Sequence, residues 1–436
     1  MRQTQNRRER AAVLLPDTTS TDTTIMDTDK LLSLLNDPAA LESLYRESPK
    51  AFRQSLNEAR AKRPDDIVLR VWAARLTDGP QTELTARTLG PALGIALACG
   101  LLVRLPAIWL GAEWYYPRFA PACVLLAVAL YFWRELRDRR QLVVGVILAA
   151  AAGTLASTLP SDLKVSASSA MALIHLPILF WAFVGFVFTG AAWRDTEPRI
   201  RFLRFNGELL ILGSLVALGG IVFSGLTMAL FTLISKEAAK WYAENIGVIG
   251  AAAVPVAATY LYDVVFRRRT GIASVLARIF APLFLVMTAS YLVMALLGGQ
   301  NPFVNREFLI TVNGLLLVVL GMSVLSIAER GEDDVVGWVD KINLALLAVT
   351  LLIDVLALSA IVFRLASYGF TPNRVVVLGA NVVILVHLAL IGRAHLTFMR
   401  GARVEGIRQA ATRYLPVYAG WAAIVAFVLP FVFRFA

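Results

Sequence analysis

Long apolar runs separated by short polar connectors fill the chain from Leu89 to the C-terminus. Each run is close to the roughly 20 residues that an α-helix needs to cross a bilayer. We predict spans at 89–111, 118–134, 141–159, 171–193, 208–234, 243–265, 274–298, 307–328, 342–364, 374–392 and 414–435. The pattern therefore predicts an all-α transmembrane domain over 89–436, a polytopic helix bundle of about 11 spans.

The residues before the first run follow a shorter and more polar pattern. Asp37-Pro38 and Ser48-Pro49 each place a capping side chain before a proline at the first helical position. We therefore predict a small helical module over 27–88. Residues 1–26 are polar, and we predict that they form a disordered extension, with Met26 as a candidate for the true start.

The composition agrees with a membrane-embedded chain. Hydrophobic residues make up 58% of the 436 residues, charged residues make up 17%, and the mean hydropathy is +0.66. Soluble domains average roughly 45–50% apolar and 25% charged residues. The formal net charge is +11, but the basic residues lie beside apolar runs. This placement favours membrane lipids with anionic headgroups as partners and disfavours nucleic acid.

Basic residues are concentrated in every second connector. One set of connectors holds eighteen arginines and lysines, and the other holds seven even when residues at span ends are counted. The richer set contains Arg134, Arg137, Arg139, Arg140, Arg194, Arg199, Arg201, Arg204, Arg267, Arg268, Arg269, Arg330, Lys341, Arg393, Arg400, Arg403, Arg408 and Arg413. Cytoplasmic loops carry such an excess. The N-terminal module is thus predicted to be cytoplasmic and the C-terminus periplasmic.

Three features of the connectors and spans lead to further predictions. Residues 393–413 mix apolar and basic residues and are predicted to form an interfacial amphipathic helix or a solvated basic loop. The acidic loop over 329–340 either docks onto the basic module or is simply solvated. Glycines between 213 and 250 are predicted to let the fifth and sixth spans approach closely.

The ninth and tenth spans carry the best polar cluster in the chain. Asp354, Asn381 and His387 fall at similar depths if the two helices form a hairpin. One interpretation is a proton- or cation-handling site, in which Asp354 carries charge, Asn381 donates or accepts a hydrogen bond, and His387 titrates. The alternative is that these side chains bond to each other and only fix the packing of the helices.

The outward turn between these two spans is the most distinctive local segment. Arg364 and Arg374 flank it, Tyr368 lies within it, and Thr371 before Pro372 is expected to cap the next helix. The arginines are candidates to bind a phosphate or a lipid headgroup. Alternatively, they pair with carboxylates of other outward connectors, Glu244 or Glu307.

Several kinds of chemistry have no signature in the chain. There is no phosphate-cradling glycine-rich loop, no His-Glu-x-x-His and no Gly-x-Ser-x-Gly. Cys99 and Cys123 both fall inside predicted spans, and the three histidines are far apart in sequence. We therefore predict no cofactor and no metal site, and we do not favour ATP-driven transport or an enzyme.

Three stretches together resemble a known family. They are Arg-Phe-Leu-Arg-Phe-Asn over 201–206, the run over 241–250 followed by Pro255, and Tyr-Gly-Phe-Thr-Pro-Asn-Arg over 368–374. These resemble an uncharacterised family of bacterial multi-pass membrane proteins, domain of unknown function 4153. The resemblance covers most of residues 89–436, and it implies a multi-pass architecture in the bacterial inner membrane without implying an activity.

Three functions remain open at this point. The first is transport or binding of a small solute or lipid along a path lined by Asp354, Asn381 and His387. The second is a non-catalytic membrane scaffold or sensor with the cytoplasmic module as its output. The third is a lipid-modifying membrane enzyme in which Arg364 and Arg374 hold the headgroup.

Overall fold

The computed structural model of the chain describes residues 28–77, 86–163, 165–266, 271–297, 306–330 and 336–436. The structure is 88% helical, with no strand in these ranges. Contacts divide the chain into two compact units, Met1–Glu83 and Leu84–Ala436. The predicted extension over 1–26 lies outside the described residues.

The described part of the first unit is a small helical module. Its helices are α1 (Thr28–Ser33), α2 (Pro38–Glu47), α3 (Pro49–Lys62) and α4 (Ile67–Thr77). Asp37 caps α2 as its sequence predicts, because its carboxylate accepts bonds from two amides of the first turn at 3.1 Å. Ser48 holds the same position before α3, but its side chain makes no capping bond. Phe52 and Trp72 pack in the core with ring centroids 4.9 Å apart.

The second unit is a bundle of long apolar helices. They are α5 (Ala86–Leu110), α6 (Ala112–Leu136), α7 (Arg139–Thr158), α8 (Ala167–Thr189), α9 (Thr196–Ile234), α10 (Lys236–Tyr242), α11 (Val248–Tyr260), α12 (Ile272–Leu297), α13 (Arg306–Ala328), α14 (Trp338–Tyr368), α15 (Pro372–Met399), α16 (Glu405–Arg413), α17 (Leu415–Phe427) and α18 (Leu429–Val432). Within the described residues, 11 helical segments are long and apolar enough to cross a membrane. The predicted all-α, polytopic fold is confirmed.

Two of these segments contain more than one helix. The sixth, Lys236–Val265, joins α10 and α11 through the π-helical turn Ala243–Gly247 and ends in a second one, Leu261–Val265. The last, Glu405–Val432, joins α16, α17 and α18. We call the end of the bundle that holds the turn between α14 and α15 the turn end. The opposite end, which holds the arginine-rich connectors, is the basic end.

Two large apolar cores account for most of the buried apolar residues of the bundle. The first is built from α5, α6, α8 and α11 with the beginning of α9. The second is built from α13, α14, α15 and α16, and Ile200 and Leu203 of α9 belong to it as well. The rest of α9 exposes large apolar side chains such as Leu218 and Phe223. Contiguous exposed apolar surface of this kind is typical of contact with lipid.

Most of the glycines predicted to bring the fifth and sixth spans together do not line their contact, but Gly213 does, because a Cβ there would lie 3.9 Å from the Cβ of Ala258. A Cβ at Gly219, Gly220 or Gly250 would meet no atom within 4 Å. The sixth span instead approaches the first span closely. A Cβ at Gly100 would lie 2.9 Å from the carbonyl oxygen of Ile249 and 3.1 Å from its Cα.

Gly100→Ala is therefore expected to destabilise the bundle by about 1–3 kcal/mol, because the obstacle is backbone that cannot rotate away. Gly94→Ala on the same helix is the matched control, since its Cβ would meet nothing within 4 Å. Thermal unfolding of both variants in detergent measures the difference. Equal midpoints for the two variants would contradict the close approach of α5 and α11.

Residues 393–413 do not form one continuous helix. Helix α15 continues to Met399, and α16 covers only Glu405–Arg413. Ile407 and Ala411 of α16 are fully buried, and Arg408 forms an ion pair with Glu197 of α9. The apolar face of this segment is thus covered by the protein itself.

Two acidic residues of the loop over 329–340 form ion pairs within the bundle, at its basic end. Asp340 is buried and pairs with Arg330, and its other carboxylate oxygen accepts a bond from the Gly337 amide at 2.8 Å. Glu329 lies 3.6 Å from Arg204 Nε. Glu332, Asp333 and Asp334 lie outside the described residues. The hypothesis that this loop docks onto the module thus depends on those three acids and stays a prediction.

Candidate functional site

A cavity of about 380 Å³ lies at the turn end, among α8, α13, α14 and α15. Its lining residues are Met171, Leu309, Ile310, Asn313, Ile361, Arg364, Thr371, Asn373, Arg374 and Val377. Two of them are arginines, and none of these lining residues, all from the described part of the chain, is acidic. The segment that the sequence marks as most distinctive thus forms one wall of a basic cavity.

Arg374 holds the turn in shape. Its Nη1 donates hydrogen bonds to the carbonyl oxygens of Tyr368 at 2.8 Å and Gly369 at 2.7 Å. Gly369 has φ +78°, a left-handed conformation that favours glycine. Thr371 is at the N-cap of α15, but its side chain makes no capping bond, so the predicted cap is absent.

Arg364 lines the cavity, and one of its hydrogen-bond donors is unused. Its Nη1 is buried and has no hydrogen-bond partner among the described residues. Asn313 Oδ1, on α13, is likewise buried without a partner there. The predicted pairing of these arginines with Glu244 is not seen among the described residues. Glu244 instead lies 3.7 Å from Lys240 Nζ. The side chain of Glu307 lies outside the described residues.

The α14 wall of the cavity continues inwards to Asp354. At 3.6 residues per turn, Thr350, Asp354, Ile361 and Arg364 lie within about 80° of one another around the helix axis. Asp354 is fully buried, about 21 Å along the helix from Tyr368 at 1.5 Å per residue. Neither of its carboxylate oxygens has a hydrogen-bond partner among the described residues. Buried carboxylates without a partner are rare in native structures, and a water, an ion or a proton normally satisfies them.

The α15 wall continues inwards in the same way. Asn381 lies about one turn further along α15 than Val377. Around the helix axis it falls between Arg374 and Val377, which are about 60° apart. It is 1% exposed, and its Nδ2 has no partner among the described residues. Trp421 of α17 lies against Gly379, where a Cβ would come within 2.0 Å of the indole ring. This contact fixes the rotation of α15 and so the direction of Asn381.

His387 is held by other helices. Its Nδ1 lies 2.9 Å from the Tyr418 hydroxyl, and its Nε2 lies 3.2 Å from the carbonyl oxygen of Ala410. The ring stacks on Tyr414 at a centroid distance of 4.8 Å. On α15 it lies about 120° around the axis from Asn381. The structure therefore directs His387 towards α16 and α17.

The structure groups the candidate residues differently from the sequence. It places Arg364 and Arg374 at one cavity, with Asn381 and Asp354 below it, but it forms no hydrogen bond between Asp354 and Asn381. The sequence analysis did not single out Asn313 as a site residue. Its position on the cavity wall follows from the packing of α13 against α14 and α15, which no local pattern reveals.

These features define an integral, multi-pass membrane protein with a basic cavity at one end of its bundle. Comparisons of the chain with protein families, curated proteins and solved structures found no match. The resemblance described above therefore stays a prediction. Among the described residues, no cluster of three or more His, Cys, Asp or Glu side chains is placed to hold a metal ion.

Proposed function

We propose that this membrane protein transports a small solute that enters at the turn-end cavity, and that Asp354 carries a proton during the movement. One observation carries the proposal: a fully buried carboxylate without a partner among the described residues lies below a basic cavity. Ionisable groups inside a membrane are costly, and they commonly belong to proton relays or ion paths.

The cavity and the carboxylate are separated by an apolar layer in this conformation. The cavity lining ends at Ile361 and Val377, while Asn381 and Asp354 below them are almost fully buried. Transport in this scheme requires a second conformation in which α14 and α15 separate at this layer. Asp354 releases its proton when water reaches it and is neutral when the layer closes, because a charge is expensive there.

The setting that we propose is the bacterial inner membrane, with the basic end in the cytoplasm. The arginine distribution supports this orientation, and the family resemblance supports the bacterial setting. Lipids with anionic headgroups are then the natural partners of the basic end. The scheme needs neither a cofactor nor a nucleotide.

Access to the buried layer is tested with a cysteine at position 381. In a background with Cys99→Ala and Cys123→Ala, Asn381→Cys is expected to react with a charged methanethiosulfonate reagent when the second conformation forms. Val382→Cys is the matched control, because Val382 is one residue away and 43% exposed on the lipid-facing surface. It should stay unreactive, since charged reagents do not enter hydrocarbon. Equal reactivity of the two cysteines would contradict a water-lined path.

Transport itself is measured with the full chain in proteoliposomes that contain the pH indicator pyranine. Phosphate, succinate and glutamate are added outside one at a time. We expect at least one of them to acidify the lumen faster than in protein-free liposomes. If none does and Asn381→Cys is inert, transport is wrong, and the scaffold or sensor becomes the better interpretation.

A further inference from the structure

The turn-end cavity has the charge of an anion site. Arg364 and Arg374 line it, and no carboxylate of the described residues does. At about 380 Å³ it falls within the range of small-molecule sites. The free Nη1 of Arg364 is buried, so it does not find its missing acceptor in bulk solvent. A ligand that supplies an anionic oxygen would satisfy it.

The beginning of α15 adds donors to the same cavity. Its first backbone bond within the described residues runs from the Val375 amide to the carbonyl oxygen of Thr371 at 3.1 Å. The amides of Asn373 and Arg374 precede it, and the Thr371 side chain does not cap them. Thr371, Asn373 and Arg374 all line the cavity. The uncapped amides and the helix dipole therefore favour an anion at the place that Arg364 also lines.

The unpaired acceptor of Asn313 limits which kinds of ligand fit the cavity. Its Oδ1 is buried without a donor among the described residues, on a cavity wall formed by a different helix. A simple anion has no hydrogen to give it, whereas a group that also bears a hydroxyl does. Monohydrogen phosphate and a glycerol-phosphate headgroup both combine an anionic oxygen with a hydroxyl.

We infer that the turn-end cavity binds a hydroxyl-bearing phosphate group, either as free phosphate or as the headgroup of a phosphatidylglycerol-type lipid. Arg364 and the start of α15 bind its oxyanion, Asn313 accepts from its hydroxyl, and Arg374 holds the turn while adding positive charge. This inference deepens the proposed function and rests on it for the role of the cavity as an entry site, but binding does not require transport.

The binding test uses the full chain in nanodiscs. Calorimetric titration with sodium phosphate in phosphatidylcholine nanodiscs measures free phosphate. Native mass spectrometry of protein taken from mixed phosphatidylglycerol and phosphatidylcholine nanodiscs measures lipid retention. Phosphatidylcholine has a phosphate without a headgroup hydroxyl, so it is the matched lipid. Binding in the first arm alone indicates free phosphate, and selective retention of phosphatidylglycerol alone indicates the lipid.

Arg364→Gln is expected to weaken whichever interaction is found by at least tenfold. Lys240→Gln is the control, because it removes an exposed positive charge that pairs with Glu244 outside the cavity. The inference is overturned if neither phosphate nor phosphatidylglycerol binds, or if Arg364→Gln binds as tightly as Lys240→Gln does.

A second measurement covers the case in which Arg364→Gln fails to fold. Asn373→Cys, in the Cys99→Ala and Cys123→Ala background, places an exposed thiol on the cavity wall. We expect phosphate or phosphatidylglycerol to slow its alkylation at least threefold, and an unchanged rate would contradict binding there. Binding without proton movement would refute only the transport proposal, and transport without binding of either phosphate or phosphatidylglycerol would refute only this inference.

Discussion

Asp354→Asn is expected to abolish solute-dependent proton movement while leaving the protein at least as stable as the wild type. The carboxylate is fully buried, and both of its oxygens lack partners among the described residues. A buried charge costs several kcal/mol, and even a protonated carboxyl lacks a partner here. The amide removes the proton-carrying group and avoids the cost of charge at this position.

The measurement is pyranine-reported acidification in proteoliposomes, with unfolding midpoints from tryptophan fluorescence. We expect at least a tenfold loss of the acidification rate and a midpoint no lower than that of the wild type. Asp195→Asn is the matched control, because Asp195 is exposed and its side chain does not cap α9. Retained acidification in Asp354→Asn would remove this carboxylate from the mechanism. A large drop in the midpoint would instead show that it is structural.

Breaking the buried Arg330–Asp340 pair is expected to give the largest loss of stability. Arg330 is 7% exposed and Asp340 is 1% exposed. The Arg330 guanidinium also lies 5.0 Å from the centroid of the Phe398 ring, so the pair joins the ends of α13 and α15 to the beginning of α14. Removing Arg330 strands the buried Asp340 carboxylate and typically costs about 3–5 kcal/mol. We expect this loss for Arg330→Met.

The double variant Arg330→Met with Asp340→Leu is expected to lose less than Arg330→Met alone, because it also removes the carboxylate that the single change strands. Lys240→Met is the control, since its pair with Glu244 is exposed and worth at most about 1 kcal/mol. Unfolding of the full chain by SDS titration gives the free energy of each variant and of the wild type. An Arg330→Met variant as stable as Lys240→Met would show that the pair contributes no structural energy.

The sequence predicted the number of spans and most of their positions, because the length of an apolar run is a local property that the bilayer thickness selects. It did less well where a segment's environment depends on its neighbours. The amphipathic pattern of 393–413 suggested the membrane interface, yet Ile407 and Ala411 are buried under other helices. An apolar face must be covered, but the pattern does not say by what.

In the candidate site, too, some properties followed from the sequence and others depended on how the helices pack. The sequence alone determined that Asp354, Asn381 and His387 lie at similar depths, because depth follows from the rise per residue. It also marked Arg364 and Arg374 as unusual at their end of the bundle. Only the tertiary structure decided that Asn381 lies on the cavity side of α15, while His387 bonds to Tyr418 and Ala410. The rotation of a helix about its axis is set by packing against its neighbours, and that packing depends on residues distant in the chain.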